Sequence, residues 1–175
     1  VGRELELRTQ RLLLRSLRIT DAEDVRAYRD DPELARFLPH ISQPYTRVDA
    51  EAFVTTNIAE RWDALPTFAI VLDDRVIGTV NFWLDLPNRI ATLGYAIARA
   101  HWGRGIAVEA ASAAVTWVIG EHDLVEIRAS THVTNARSRR VLEKLGMTFD
   151  RSDEIELFYR YRPNKNIHST STALS

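Results

Sequence analysis

Tyr95-Ala96-Ile97-Ala98-Arg99-Ala100-His101-Trp102-Gly103-Arg104-Gly105-Ile106-Ala107 is the stretch on which the fold turns. A strand over 91–98 runs into a short turn with two glycines, and the turn opens a helix over 105–120. The first amides of a helix lack intrahelical acceptors and sit at the positive end of its dipole. Gly103 and Gly105 carry no Cβ, so the backbone can approach a ligand closely there. The stretch is therefore a candidate pyrophosphate cradle, with Arg104 adding charge to a phosphate or facing solvent. An ordinary strand–helix turn fits the residues alone about as well. The stretch is neither GxxxxGK[ST] nor GxGxxG, so phosphotransferase and dinucleotide readings lose support.

On the helix, Ile106, Ala110, Ala114, Trp117 and Val118 form one apolar face, and Glu109, Ser112 and Thr116 a polar stripe. Upstream, Thr67 to Leu72, Val76 to Leu84 and Ala91 to Ala98 read as an antiparallel meander with turns at Asp73-Asp74 and Leu86-Pro87-Asn88. Further upstream, Leu5 to Leu17 reads as one strand. A helix starts near Thr20-Asp21 and stops at Asp31-Pro32. A second helix covers Thr46 to Trp62, with Val48, Ala52, Phe53 and Ile58 as its apolar positions. Downstream, Leu124 to Thr131 is a strand, and Asn135 to Leu145 a helix closed by Gly146. Met147 to Asp150 and Ile155 to Tyr161 are the last strands. The whole predicts an α/β (α+β) fold, a mixed sheet flanked by helices. It is one domain over 1–162, with residues 163–175 as a polar, flexible tail.

Composition narrows the chemistry. The 175 residues are 45% hydrophobic and 27% charged, ordinary for a globular domain. Cysteine is absent, which excludes a disulfide framework, a thiolate metal site and a cysteine nucleophile. The 5 histidines lack HExxH spacing, so no metal is expected. The net charge of -1 gives no general pull toward nucleic acid or an anionic membrane. No apolar run approaches the ~20 residues that span a bilayer. The first residues lack the apolar stretch of a secretory signal, and a cytoplasmic location is the expectation.

A second segment adds weight: Asn135-Ala136-Arg137-Ser138-Arg139-Arg140-Val141-Leu142-Glu143-Lys144-Leu145-Gly146 follows the next strand. With Leu12-Leu13-Leu14-Arg15, Asp31-Pro32-Glu33-Leu34-Ala35-Arg36-Phe37-Leu38, Ile77-Gly78, Gly94-Tyr95 and Trp102 to Ala107, it makes an ordered set covering most of the chain. That set resembles the GCN5-related N-acetyltransferase (GNAT) superfamily, and within it the ribosomal-protein-alanine (RimJ/RimL-like) branch. The resemblance implies a mostly antiparallel sheet of about seven strands and about four helices, splayed at a cleft for acetyl-CoA. It implies that backbone groups of Tyr95 and Ile97 pair with the pantetheine arm. Residues Trp102, Gly103, Arg104, Gly105, Ile106 and Ala107 would hold the pyrophosphate, Asn135 would touch the pantetheine, and Ser138 would sit near the sulfur. Three positions depart from the pattern: Trp102 replaces the usual Gln or Arg, Thr92 the frequent Glu base, and Ser138 or a neighbour the frequent Tyr acid.

The implied function is direct transfer of acetyl from acetyl-CoA to a primary amine, on a protein N-terminus or a small molecule. A non-catalytic coenzyme A-binding module of the same fold is the alternative. A homodimer is compatible with either. Ser138 is the candidate acid at the thiolate, and its other reading is a helix-cap residue. Glu156, between Ile155 and Leu157, is the candidate base, and an ordered water chain would serve equally. Glu109 reads as solvated or capping, His132 as a strand-end surface residue, and His101 as facing solvent or phosphate. Arg137, Arg139 and Arg140 face solvent or the adenosine 3′-phosphate. Residues 37–45 are the acceptor-recognition segment, and Trp83 is expected in the core.

Overall fold

In the computed structural model, which describes residues 5–38 and 40–164, the expected strand over Leu5–Leu17 is two strands. These are β1 (Glu6–Arg8) and β2 (Leu13–Ser16), paired antiparallel. The turn between them contains no glycine or proline. It closes because the Thr9 amide donates to the Leu12 carbonyl at 3.0 Å while the Leu12 amide donates to the Thr9 hydroxyl at 3.0 Å.

The meander follows as read: β3 (Thr67–Leu72), β4 (Arg75–Asp85) and β5 (Ile90–Ile97), antiparallel throughout. Asp73 and Asp74 have φ of 49° and 60°. Two consecutive left-handed residues are what a two-residue hairpin needs to match the strands' twist. After β5 the chain crosses through α4 (Ile106–His122) to β6 (Glu126–His132), then passes through α5 (Ala136–Lys144) to β7 (Thr148–Ser152) and β8 (Glu156–Tyr161). The sheet has eight strands in the order β1-β2-β3-β4-β5-β6-β8-β7. Every neighbouring pair is antiparallel except β5–β6.

Three further helices lie between β2 and β3: α1 (Ala22–Arg29), α2 (Pro32–Ala35) and α3 (Arg47–Ala59). Pro32 does not merely end α1. It opens α2 from its first turn, where a missing N–H costs nothing, and the Asp31 carboxylate caps that turn through the Glu33 amide. Eight strands and five helices thus stand where about seven and about four were expected. The additions are β1, cut from the first strand, and the one-turn α2.

One core lies beneath α4, where Ile106, Ala110, Ala114 and Val118 meet Phe68, Val80, Phe82 and Ile127. Small alanines bring the helix close to the sheet, and Trp117 edges onto Trp62 and Phe68 at 5.7 and 5.2 Å. The second core lies on the opposite face, where α1 and α3 bring Val25, Tyr28, Ala50 and Val54 onto Ala69, Val71 and Ala96. On α3 the inward residues are Ala50 and Val54, whereas Val48 is 73% exposed and Ile58 is exposed. The residue ahead of α1 is tied down by charge: Arg15 meets both oxygens of buried Asp21 at 2.8 and 2.9 Å. Asp21 occupies the N-cap position of α1, but its side chain makes no cap hydrogen bond to that helix; it anchors Arg15 and accepts the Arg18 amide at 2.7 Å.

Of the expected tail over 163–175, residues 165–175 lie outside the described residues.

Candidate active site

The turn after β5 is built from backbone geometry. The Ala98 amide donates to the Ile77 carbonyl on β4 at 2.7 Å. Backbone groups alternate sides along a strand, so those of Ile97 and Tyr95 face away from β4. Residues Arg99–His101 form a single 3₁₀ turn, and Gly103 and Gly105 follow with φ of 72° and 75°. A Cβ at Gly103 would meet nothing within 4 Å, so glycine there answers to φ, not to crowding.

Gly105 is the N-cap of α4 and offers no capping side chain. The first helical bond runs from the Glu109 amide to the Gly105 carbonyl at 3.0 Å. The amides of Ile106, Ala107 and Val108 therefore have no intrahelical acceptor. The chemistry of this donor set suits a diphosphate: N–H groups without helical acceptors, a positive helix end and no Cβ at Gly103 or Gly105.

Arg11 holds the turn from outside. It donates to the Arg104 carbonyl at 3.0 Å and to Glu109 at 2.7 Å. Burial acts against the Glu109 charge, but hydrogen bonds from the Thr9 hydroxyl and from the Arg11 amide and side chain prevail and hold its pKa below the usual carboxylate value. Glu109 is thus neither solvated nor a cap. It ties the β1–β2 turn to the cradle across 100 residues of sequence. Burial and the Arg104 charge push His101 below its ordinary value, and its Nδ1 lies 3.1 Å from Arg104.

The cradle sits at the mouth of a gap in the sheet. β5 and β6 pair only at Ile90↔Glu126, Ala91↔Ile127 and Thr92↔Arg128. Beyond Thr92 the strands part, leaving Leu93–Ile97 without a partner on that side. Two bridges from the β5 side reach the first turn of α5. The Tyr95 hydroxyl lies 2.7 Å from Ser138 Oγ. The Arg137 guanidinium lies over the Trp102 indole at 3.9 Å, and that indole donates to the Ile97 carbonyl at 2.8 Å. Arg139 instead pairs with Glu143 along the helix, and Arg140 is exposed. Asn135 caps α5 by accepting the Ser138 amide at 3.1 Å.

Tyr95 is the residue that sequence reasoning undervalued. Only its backbone entered the expected site, yet its side chain stands beside Ser138. The missed signal was parity: odd residues of β5 face α4 and α5, and Tyr95 is the middle one of the three, Leu93, Tyr95 and Ile97, that run along the gap. Burial pushes its phenol up to about 12, against the opposing pull of its Ser138 hydrogen bond.

Glu156 lies on the other face of the sheet. Ile127 and Ala129 pack beneath α4, so alternation turns Ser130 and His132 the other way. Glu156 is in register with His132 and accepts the Ser130 hydroxyl at 3.0 Å. The structure therefore brings Tyr95 and Ser138 together but does not bring Glu156 to Ser138. His132 bonds Thr134 at 2.8 Å, and its ring lies 6.2 Å from that of Phe37, at the end of α2. Phe37, the first residue of the 37–45 segment, thus lies beside His132 on that face, whereas Ile41 and Tyr45 are buried in the second core. Trp83 is 54% exposed on this same face, not in the core, and its indole leans over Gly94, where a Cβ would come within 2.8 Å of the ring.

Among the described residues, no group of three or more His, Asp or Glu could hold a metal ion. No helix there is long and apolar enough to cross a membrane.

Known proteins share this fold. The chain is 31% identical over 144 residues to the N-acetyltransferase p20 of Bacillus licheniformis, covering 79% of this chain and 80% of that one. The acetyltransferase structure from Agrobacterium tumefaciens str. C58 superposes with a TM-score of 0.75 at 27% identity, covering 93% and 97% of the two chains. Mycobacterium smegmatis RimJ, solved in complex with CoA-disulfide, shares the fold with a TM-score of 0.77 at 21% identity over 86% of this chain and 81% of that one. Residues 11–148 match the Acetyltransferase (GNAT) domain, which is most of the chain. The chain belongs to the GNAT family of acetyltransferases, whose acetyl donor is acetyl-CoA.

Proposed function

We propose that this protein transfers an acetyl group from acetyl-CoA directly to a primary amine, a protein N-terminus or a small molecule, with both substrates bound together. The observation that carries this reading is the unpaired stretch of β5 ending in the Gly103–Val108 amides. Acetyl-CoA supplies an activated thioester, so no covalent enzyme intermediate is needed and positioning does most of the work.

In this reading Gly103, Arg104, Gly105, Ile106 and Ala107 hold the diphosphate, with Trp102 at the cradle's entry. Tyr95 and Ile97 offer backbone groups to the extended arm, as an added strand would use them. The Ile97 carbonyl already accepts the Trp102 indole, so the Ile97 amide is the group free to serve there. Asn135 keeps its cap and presents its remaining amide hydrogens to the cleft.

Tyr95 and Ser138 act as a pair. The Tyr95 phenol is protonated at neutral pH and stands against Ser138 Oγ. A free thiol has a pKa of about 8.5, so so weak an acid as Tyr95 stabilises a departing thiolate by hydrogen bonding and does not surrender its proton outright. Ser138 completes the hydrogen-bonded pair from the α5 side. The amine enters from the opposite face, where Glu156, held by Ser130, is the candidate base. A cytoplasmic location and a homodimer are compatible with this chemistry, and neither nucleic acid nor membrane has a part in it.

Release of free thiol from acetyl-CoA with a panel of amines tests the proposal. Sustained turnover on any amine supports it. Tight acetyl-CoA binding without turnover on a broad panel would replace it with the non-catalytic coenzyme A-binding module.

A further inference from the structure

Arg29, the last residue of α1, is only 9% exposed. Its guanidinium carbon sits 3.7 Å from the centre of the Phe53 ring, with Tyr45 and Tyr28 at 5.7 and 5.9 Å. Nε donates to the Tyr28 hydroxyl at 3.4 Å. Aromatic faces attract a cation but do not neutralise it. The comparison with Arg15 is instructive: that equally buried guanidinium is met by both oxygens of Asp21. No carboxylate of the described residues lies within ion-pair distance of Arg29.

The nearby acids are committed elsewhere. Asp30 accepts the Tyr45 amide at 2.8 Å and lies 3.9 Å from Arg26. Asp31 pairs with Arg99 at 2.8 Å, and Asp49 takes the amide and hydroxyl of Thr46. The Tyr45 phenol and His40 both sense Arg29: burial pushes the phenol up against the opposing pull of Arg29, and burial and Arg29 together push His40 below its ordinary value, so neither supplies a negative charge at neutral pH. The spot is short of negative charge.

Its position gives that shortage a use. The Tyr28 hydroxyl is 3.4 Å from Thr79 Oγ1 on β4, and Thr79 is in register with Ala96 on β5. Ala96 lies between Tyr95 and Ile97, on the face from which the amine is read to enter. A guanidinium held over an aromatic ring and lacking a counter-ion keeps N–H donors in a planar fork that suits a carboxylate.

We propose that Arg29, caged by Phe53, Tyr45 and Tyr28, is the binding post for a carboxylate carried by the acceptor amine. The acceptor class is then an amino acid, or a peptide with an acidic residue near its N-terminus. The inference rests on the acetyltransferase reading above and narrows its substrate.

The test compares matched amines by calorimetry with coenzyme A present, and by thiol release with acetyl-CoA. The probes are glycine, β-alanine and 6-aminohexanoate, each against its amide, and an Asp-containing tripeptide against its Asn counterpart. Phosphoethanolamine is the non-planar anion. In the unaltered protein at least one carboxylate probe binds at least 10-fold more tightly than its neutral twin and more tightly than phosphoethanolamine, and Arg29→Met abolishes that preference while the acetyl-CoA Kd stays unchanged. Arg29→Lys retains part of it. Equal affinity of acid and amide across every pair, tighter binding of phosphoethanolamine, or a preference that survives Arg29→Met overturns the proposal. Because the unaltered protein alone decides the first two outcomes, a variant that fails to fold does not shield it. Turnover without a carboxylate preference removes this inference and leaves the acetyltransferase. An Arg29-dependent preference in binding without turnover does the reverse.

Discussion

The Tyr95 hydroxyl and Ser138 Oγ stand 2.7 Å apart, joining β5 to α5 across the parted strands. If this pair stabilises the leaving sulfur, removing either hydroxyl slows transfer without loosening the donor. Tyr95→Phe is expected to lower kcat about 10²-fold, within the range for a positioned proton donor. Ser138→Ala is expected to lower kcat less, because Tyr95 remains. Thiol-release kinetics beside calorimetric acetyl-CoA affinity check both. Full turnover in Tyr95→Phe would reduce the contact to packing.

The same phenol makes an alkaline prediction. Its pKa is raised to about 12 when folded, against about 10 when unfolded. Between those values the unfolded chain has lost the proton and the folded chain keeps it, so stability falls as pH rises through the window. The loss is about 2 kcal/mol, full stability being present below pH 10. Thermal melts of the protein and of Tyr95→Phe between pH 9 and pH 12 measure it. The variant should lack this component of the decline.

Gly105→Val tests the cradle. At φ 75° a side chain is strained wherever it points, and the nearest atom to a new Cβ is Arg11 Nη2 at an ordinary 3.6 Å. The cost is conformational, roughly 1–2 kcal/mol. Relief of that strain turns the amides, so acetyl-CoA Kd should rise about 10-fold or more while the protein still melts cooperatively. Unchanged affinity would remove the turn from the donor site.

Asp21→Asn tests the anchor ahead of α1. It leaves the Arg15 charge buried beside a neutral partner, and breaking such a pair costs about 3–5 kcal/mol. A drop in Tm much smaller than a domain of this size should show for that loss would mean water reaches Arg15.

Much of this was legible in the residues, for reasons that differ from element to element. α4 announces itself by a long apolar face, and the β3–β4 hairpin by two aspartates that tolerate positive φ. The split into β1 and β2 was not legible, because its turn is fastened by Glu109 from far along the chain. Trp83 reads as core by its chemistry. In the sheet it stands in register with Thr92 and its indole leans over Gly94 on the next strand, a relation that one strand cannot reveal. The site divided likewise. The cradle follows from local sequence and helix-end physics, whereas the Tyr95–Ser138 contact needs the sheet, the gap and α5 all in place.

The three-pair seam between β5 and β6 means that this protein carries an edge in the middle of its own sheet. Exposed strand edges invite foreign backbone and are ordinarily blunted by charge, proline or cover. Here α4 and α5 lie on one side of the parting, and in the proposed reading the added strand is no peptide but offers amides of its own. A donor that slots in completes the lattice of backbone bonds, so occupancy should knit the two halves of the molecule into one cooperative unit and slow amide exchange on both banks of the gap at once.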